Sequence, residues 1–399
     1  MCGFLYLSSM KCRYHILLAC LLTVLSSANG QAPAADSVVI SILTCAPGEE
    51  LYSIYGHNAI RVLDLRKGTD KVYNYGTFDF DTPGFAVKFM RGKLPYMLTS
   101  ADFGLFLREY HYFKRSVKEQ VINFTPEEKS RVLAFLDNNM LPQNRTYKYD
   151  FFMDNCATRL RDVLEKNSSG VLWDESQASG KTFRTIIKEY QVGLPWTDFG
   201  IDLIIGSPAD RKTTVREESF IPDYLAFDIS KAGIRSATPA RLEFYRSEVL
   251  SFPARAVKTN FFLTPMFFFL LLLGLEVFIF VKLRQNDHKL VKIYDKTWIW
   301  ILAFSSVLMA FMWFGTDHIP TKYNWNLLWA NPLIPLWWWK ASNVRGLTVF
   351  LAACLVVSLS NAITGHNFLP QYFHPVVAVI CLILLLKGWR ITAKTKLAA

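Results

Sequence analysis

The chain has 399 residues, 51% of them hydrophobic, with 44 Lys and Arg against 33 Asp and Glu, for a net charge of +11. That length and apolar content exclude one small soluble domain. The basic excess does not mark a nucleic-acid partner, because much of it flanks long apolar runs, as in membrane orientation.

At the start, Lys11 and Arg13 precede an apolar stretch over 16–25. Ser26-Ser27-Ala28-Asn29-Gly30 then supplies small residues for cleavage, so residues 1–30 read as a secretory signal peptide. Residues 31–257 are expected to be one exported, periplasmic domain. Of the seven cysteines, only Cys45 and Cys156 fall in that domain. In an oxidising compartment those two are a ready disulfide.

Within the exported part, β-branched and apolar content predicts strands at 37–45 and 58–65, a turn at 66–70 and a further strand at 71–80. Residues 85–89 and 103–112 read as short helices or aromatic cover, and 117–124 as a strand. Thr125 and Pro126 open a helix that runs to about Asn139. Cys156 heads another helix, over 157–166. Residues 167–230 read as a loop-rich extension, and 229–257 as a basic connector to the membrane.

From Phe261 onward the pattern is long apolar runs, at 261–281, 298–314, 323–339, 347–359 and 375–386. Pro332 and Pro335 interrupt the third. Counted as about five transmembrane helices, they place the loops at 282–296, 340–346 and 387–399 on the cytoplasmic side, with five, two and four Lys or Arg respectively. The opposite loops, 316–322 and 361–374, carry only Lys322, as the positive-inside rule requires. Residues 258–399 are thus expected to form an all-α membrane domain with a short cytoplasmic tail, in the bacterial inner membrane. Glu276 lies inside the first run, near its cytoplasmic end, where snorkelling would carry the carboxylate to the boundary. Asp317, His318, Asn324, Asn326, His366 and His374 fall at the outer boundary, on the side of the exported domain. His318 is the candidate among them for assisting the site or a lipid head group.

Two motifs carry the chemistry: Tyr55-Gly56-His57-Asn58-Ala59-Ile60-Arg61-Val62 and Tyr149-Asp150-Phe151-Phe152-Met153-Asp154-Asn155-Cys156. A thiol becomes a nucleophile when a base takes its proton, and a helix N-terminus lowers its pKa further. His57 on a strand and Cys156 on a helix start meet both needs. The imidazole also needs an orienting group. A hairpin of 58–65 with 71–80 would set Asn74 beside it, with Tyr75 and Asp79 as the next candidates. The backbone N–H of Cys156 is an expected oxyanion donor, and Tyr55 and Asn155 are the side-chain candidates. Cys45 is a rival nucleophile, but it precedes a turn and lacks the helix dipole. The pattern calls for no metal and no cofactor.

Histidine before cysteine in chain order, on a strand and a later helix start, resembles the circularly permuted papain-like branch, which includes lecithin:retinol acyltransferase and its phospholipid-acyltransferase relatives. The resemblance rests on His57-Asn58-Ala59-Ile60 and Asn155-Cys156, and implies an α+β papain-like, permuted exported domain. It also implies a third catalytic residue on the strand after the histidine, where that branch usually has another histidine and this chain has Asn74. A closer resemblance spans nearly the whole chain. Thr44-Cys45-Ala46-Pro47-Gly48, Tyr75-Gly76-Thr77-Phe78-Asp79-Phe80, Arg91-Gly92-Lys93-Leu94, Asp154-Asn155-Cys156 and Asn326-Leu327-Leu328-Trp329 resemble the Bacteroides-type lipoprotein N-acyltransferases (Lnb). That family implies transfer of a fatty acyl chain from a phospholipid, through a cysteine thioester, to the α-amino group of a diacylated lipoprotein cysteine. Two other readings stand beside it. One is a membrane-bound cysteine hydrolase, a phospholipase or peptidase. The other is a non-catalytic envelope assembly factor with Cys45 and Cys156 paired.

Overall fold

A computed structural model describes residues 37–235, 240–253, 258–282, 288–334, 345–365 and 368–398. The expected signal peptide, His366, and residues 335–339 of the third apolar run lie outside them.

The N-terminal part is an α+β domain. Its elements run β1 (Val38–Cys45), β2 (His57–Asp64), β3 (Thr69–Thr77), α1 (Phe85–Met90), β4 (Pro95–Asp102), α2 (Phe103–Tyr112), β5 (Val117–Ile122), α3 (Pro126–Met140), β6 (Thr146–Lys148) and α4 (Cys156–Asn167). A two-residue strand β7 (Val171–Leu172) follows, then α5 (Phe183–Glu189), α6 (Pro195–Ile204), α7 (Val215–Glu218), α8 (Pro222–Lys231), β8 (Gly233–Ile234), β9 (Ala240–Arg241) and β10 (Glu243–Leu250). Seven strands form one antiparallel sheet in the order β10-β5-β1-β2-β3-β4-β6, and β7, β8 and β9 make a small ribbon. The expected β2–β3 hairpin is formed, with Ile60 opposite Tyr73 and Asp64 opposite Thr69.

Period-two alternation divides the sheet's side chains between two cores. Ile40, Ile42, Ile60, Val62 and Tyr75 pack under α3, α4 and α8, whereas Leu43, Cys45, Ala59 and Val72 pack under α2. Each fully buried Ile or Leu contributes about 1.5–3 kcal/mol. Arg61 ties three strands together, its guanidinium 2.7 Å from Asp70 on β3 and 3.0 Å from Glu119 on β5. Thr125 caps α3 with a full capping box, its hydroxyl accepting from Glu128 N–H while the Glu128 carboxylate accepts from Thr125 N–H.

Two segments differ from the sequence expectation. Residues 167–230 hold four short helices; buried ion pairs of Arg184 with Asp202 and Asp210 brace α5, and Thr182 and Thr214 cap α5 and α7, none of which a loop reading anticipates. Within the expected connector at 229–257, β10 adds an edge strand to the sheet against β5. Arg246 and Glu248 are exposed on it, where an edge strand tolerates charge.

The C-terminal part is helical. Among the described residues its long helices are α9 (Pro265–Lys282), α10 (Lys289–Phe314), α11 (Arg345–Thr364) and α12 (Val376–Ala398), and α12 packs against α9 and α11. By length and composition α9 and α10 are long and apolar enough to cross a membrane. The described part of the third apolar run begins with a short 3₁₀ turn, Trp325–Leu328. Glu276 does not snorkel. It is fully buried, 2.7 Å from Lys387 Nζ and 3.2 Å from Arg390 Nε, and Asp295 on α10 joins the same cluster 2.9 Å from Lys387. A buried carboxylate is tolerated in apolar surroundings only when paired, and α12 supplies the partners.

Candidate active site

Three polar residues of the second motif, Asp150, Asp154 and Asn155, deliver Cys156 to the head of α4. Asp150 Oδ1 accepts from the N–H groups of Phe152 and Met153, which turns the chain. Asp154 clamps Arg159 at 2.7 Å. Asn155 is the N-cap: its Oδ1 accepts Thr158 N–H at 2.9 Å, and its Nδ2 donates to the carbonyls of Phe151 and Phe220 at 2.7 and 2.8 Å. Its amide hydrogens are both spent, so Asn155 builds the helix start and has no donor left for an oxyanion.

The first motif delivers His57 at the first residue of β2. Gly56 before it has φ +80°, and a Cβ there would lie 2.8 Å from the Cys45 carbonyl oxygen. Only glycine fits this turn without moving backbone. Asn58 is fully buried and donates to Thr44 Oγ1 at 2.9 Å, pinning β2 to β1.

The structure brings His57, Cys156 and Asn74 together. His57 Nε2 lies 3.2 Å from Asn74 Oδ1, and the imidazole is also hydrogen bonded to the Cys156 thiol. With Nε2 given to Asn74, Nδ1 is the nitrogen left for the sulfur. Burial alone would raise the Cys156 pKa, but the charge and hydrogen bond of His57 and N–H donation from Asn58 and Ala157 outweigh it, leaving the thiol below its ordinary value. For His57, burial pulls down, while the sulfur's charge and hydrogen bond and the Asn74 bond push up and prevail. Both shifts favour thiolate beside imidazolium.

The other sequence candidates sit elsewhere. Tyr75 alternates away from Asn74 into the helix-side core, its hydroxyl 3.4 Å from Asn139. Asp79 is exposed and accepts from Asp81 N–H at 2.9 Å. The Tyr55 hydroxyl accepts from Gln191 at 2.8 Å, and its ring packs on Phe151. Cys45 and Cys156 are both free thiols, so the disulfide of the alternative, assembly-factor reading is not present. Cys45 is buried, and burial pushes its pKa up to about 12.

His318 lies at a junction with the membrane domain. Its Nε2 is 3.2 Å from the Phe89 carbonyl and its ring covers Gly92, while Asp317 N–H donates to the Arg91 carbonyl and Asp317 Oδ2 pairs with Lys148 at 2.8 Å. Nearby, Asn324 and Asn326 donate to backbone carbonyls of α6, and Asn326 Oδ1 accepts Trp329 Nε1–H at 2.8 Å. His374 lies 3.4 Å from Asp198, and these two with Asp202 have the spacing of a metal site. Lys188 already sits between the two carboxylates, 2.7 Å from Asp202, as a resident cation.

Three residues near the sulfur escaped the sequence reading. A Cβ on Gly76 would lie 3.7 Å from Cys156 Cβ, 3.8 Å from the Tyr149 ring and 3.9 Å from the Tyr147 hydroxyl. The signal was slight: two tyrosines in strand alternation, Tyr147 and the Tyr149 that opens the cysteine motif. Tyr149 also stacks on Tyr96 with centroids 4.3 Å apart, the inner end of an aromatic run through Phe78, Phe85 and Phe89 on α1.

An α+β domain docks on long apolar helices through the loops at 316–326, the arrangement of a domain held at a membrane. Residues 29–189 match the Lnb N-terminal periplasmic domain, and residues 257–397 match the Lnb transmembrane domain. The chain belongs to the Lnb family. No curated protein and no solved structure matches it.

Proposed function

We propose that this chain is a lipoprotein N-acyltransferase of the inner membrane, with Cys156 as nucleophile, His57 as acid and base, and Asn74 as the residue that orients His57. The observation that carries the reading is the His57–Cys156 pair, polarised toward thiolate and imidazolium, in a chain of the Lnb family. In this reading residues 31–257 are the periplasmic catalytic domain, of permuted papain-like type, and 258–399 cross the membrane five times.

The chemistry follows in two halves. The Cys156 thiolate bonds to the carbonyl carbon of a phospholipid ester, the carbonyl π pair moves to oxygen, and collapse breaks the ester C–O bond. The departing alkoxide takes the proton of imidazolium His57 and leaves as lysophospholipid. Neutral His57 then accepts a proton from the α-amino group of a diacylated lipoprotein as its nitrogen attacks the thioester. Collapse releases the thiolate and an amide, and the ion pair is restored. The aromatic run from α1 to Tyr149 and the contact of His318 with Phe89 support a lipid donor drawn from the outer face of the membrane.

Mass spectrometry of an intact lipoprotein, from cells lacking this protein and complemented with wild type or Cys156→Ala, tests the reading. Restoration of one N-linked acyl chain by wild type alone is the expected result. Full N-acylation without the protein would sink it and bring the hydrolase reading forward.

A further inference from the structure

Tyr147 carries a buried hydroxyl with no hydrogen-bond partner among the described residues. Leaving such a group unpaired costs about 1–3 kcal/mol, so its position calls for an explanation. The ring is fixed on three sides. β6 sets Tyr147 opposite Tyr96 on β4, the Arg159 guanidinium sits 3.7 Å over its face, and Tyr75 meets it edge-on with centroids 6.3 Å apart. Arg159 is itself held by Asp154 of the cysteine motif. The hydroxyl and Cys156 Cβ both border the small volume that a Cβ on Gly76 would fill, at 3.9 and 3.7 Å. Gly76 has φ +86°, so a side chain there would be strained as well as obstructive.

Resting on the acyl-transfer reading, we propose that the Tyr147 hydroxyl is the side-chain donor to the carbonyl oxygen of the acyl ester, which occupies the space Gly76 leaves beside Cys156. Tyr147 thereby fills the role that Asn155, with both amide hydrogens spent, cannot fill. Burial first, and then the charge of Cys156, hold its phenol above the ordinary value, so it donates without losing its proton. As the sulfur–carbon bond forms and the π pair moves to oxygen, the O–H bond points at the new charge. When the tetrahedral species collapses, the carbonyl re-forms and the leaving alkoxide takes its proton from His57, so Tyr147 ends unchanged. Such a donor strengthens its bond only in the transition state.

The test is Tyr147→Phe in the full chain, reconstituted in phosphatidylethanolamine vesicles with a synthetic diacylated lipopeptide. Three readouts are taken: the rate of thioester formation on Cys156, the rate of Cys156 alkylation by iodoacetamide, and Tm. Thioester formation is expected to fall about 10²-fold, with alkylation within twofold of wild type and Tm not lowered, since the lost hydroxyl had no partner to lose. Acylation at the wild-type rate would overturn the proposal, as would a parallel loss of alkylation, which would make Tyr147 a structural residue. A wild-type protein that forms no thioester would instead overturn the acyltransferase reading, and this proposal with it.

Discussion

Cys45 lies directly across the β1–β2 ladder from His57, the last pair of that register, yet its thiol is held in the opposite state to that of Cys156. Cys45 packs under α2 among Leu43, Ala59 and Phe106, with a hydrogen bond to Tyr110. It heads no helix, and the groups that act on its sulfur are Tyr110, Arg115, Cys156 and Glu109 rather than the His57 imidazole. Cys156 has both the helix start and the imidazole.

The two thiols should therefore react differently. A brief iodoacetamide pulse near pH 7 is expected to alkylate Cys156 and spare Cys45, because the thiolate is the reactive form and burial holds Cys45 up to about 12. Peptide mass spectrometry reads the ratio. Cys45→Ala should keep acyl transfer while costing roughly 1 kcal/mol of stability. Loss of activity at unchanged Tm would show that Cys45 takes part in the chemistry.

The His57–Asn74 bond sets a pH signature. His57 is raised from its ordinary value and Cys156 lowered from its own, so both shifts favour the thiolate–imidazolium pair. Thioester formation should rise as pH passes the lowered Cys156 value and fall as it passes the raised His57 value, where the leaving group loses its acid. Asn74→Ala removes one of the bonds that raises His57, so the alkaline limb should move to lower pH and the plateau rate drop about tenfold. A pH–rate profile with an unmoved alkaline limb would mean that Asn74 does not act through the imidazole.

Much of this architecture is legible in the residues, for physical reasons that can be named. β1, β2 and β3 are β-branched or aromatic runs, Thr125-Pro126 is a cap followed by a proline at the first turn, and Asn155 announces the helix that Cys156 heads. The hairpin register then carries Asn74 to His57. What was hidden depends on partners distant in sequence. β4 reads Pro-Tyr-Met-Leu-Thr-Ser-Ala-Asp, with a proline and no clean alternation, and is recruited by β3 on one side and β6 on the other. Glu276 is neutralised by Lys387 and Arg390, more than a hundred positions away, which no local rule anticipates. Tyr147 becomes interesting only once Gly76 and Cys156 are seen to border the same volume.

Arg184 gives a stability prediction at the junction of the two domains. It is 2% exposed, 2.8 Å from Asp202 and 2.7 Å from Asp210, and donates to the carbonyls of Ile205 and Gly206 at 3.2 Å. The same stretch receives Asn324, Asn326 and Gln371 from the membrane domain. Arg184→Ala strands the Asp210 carboxylate and leaves Asp202 with Lys188 as its one cation, and should cost about 3–5 kcal/mol. Arg184→Lys should rescue little, because one ammonium cannot bridge both carboxylates and both carbonyls. Thermal unfolding of the detergent-solubilised chain measures this, and an unchanged Tm would refute the junction role.

The aromatic run offers the last prediction, about how the donor reaches the sulfur. Phe80, Val87 and Phe89 are 65%, 57% and 48% exposed, and Lys88, Arg91 and Lys93 lie among or just after them. Apolar side chains interspersed with cations suit the region where lipid head groups meet acyl chains. From Phe89 the rings pass through Phe85, Phe78 and Tyr96 to Tyr149 beside Gly76, with neighbouring centroids 4.3 to 6.0 Å apart. Phe80 and Phe89 are surface residues, so Phe80→Ser with Phe89→Ser should spare folding. If each ring gives a lipid chain about 0.7 kcal/mol of contact, a modest part of full burial, the pair contributes about 1.4 kcal/mol, or tenfold. The half-saturating mole fraction of phosphatidylethanolamine in an inert host lipid should rise by about that factor. Acylation of Cys156 by a short, water-soluble ester should be unchanged, since that donor needs no path from the bilayer. Equal losses with both donors would place the defect at the sulfur and remove the rings from the lipid route.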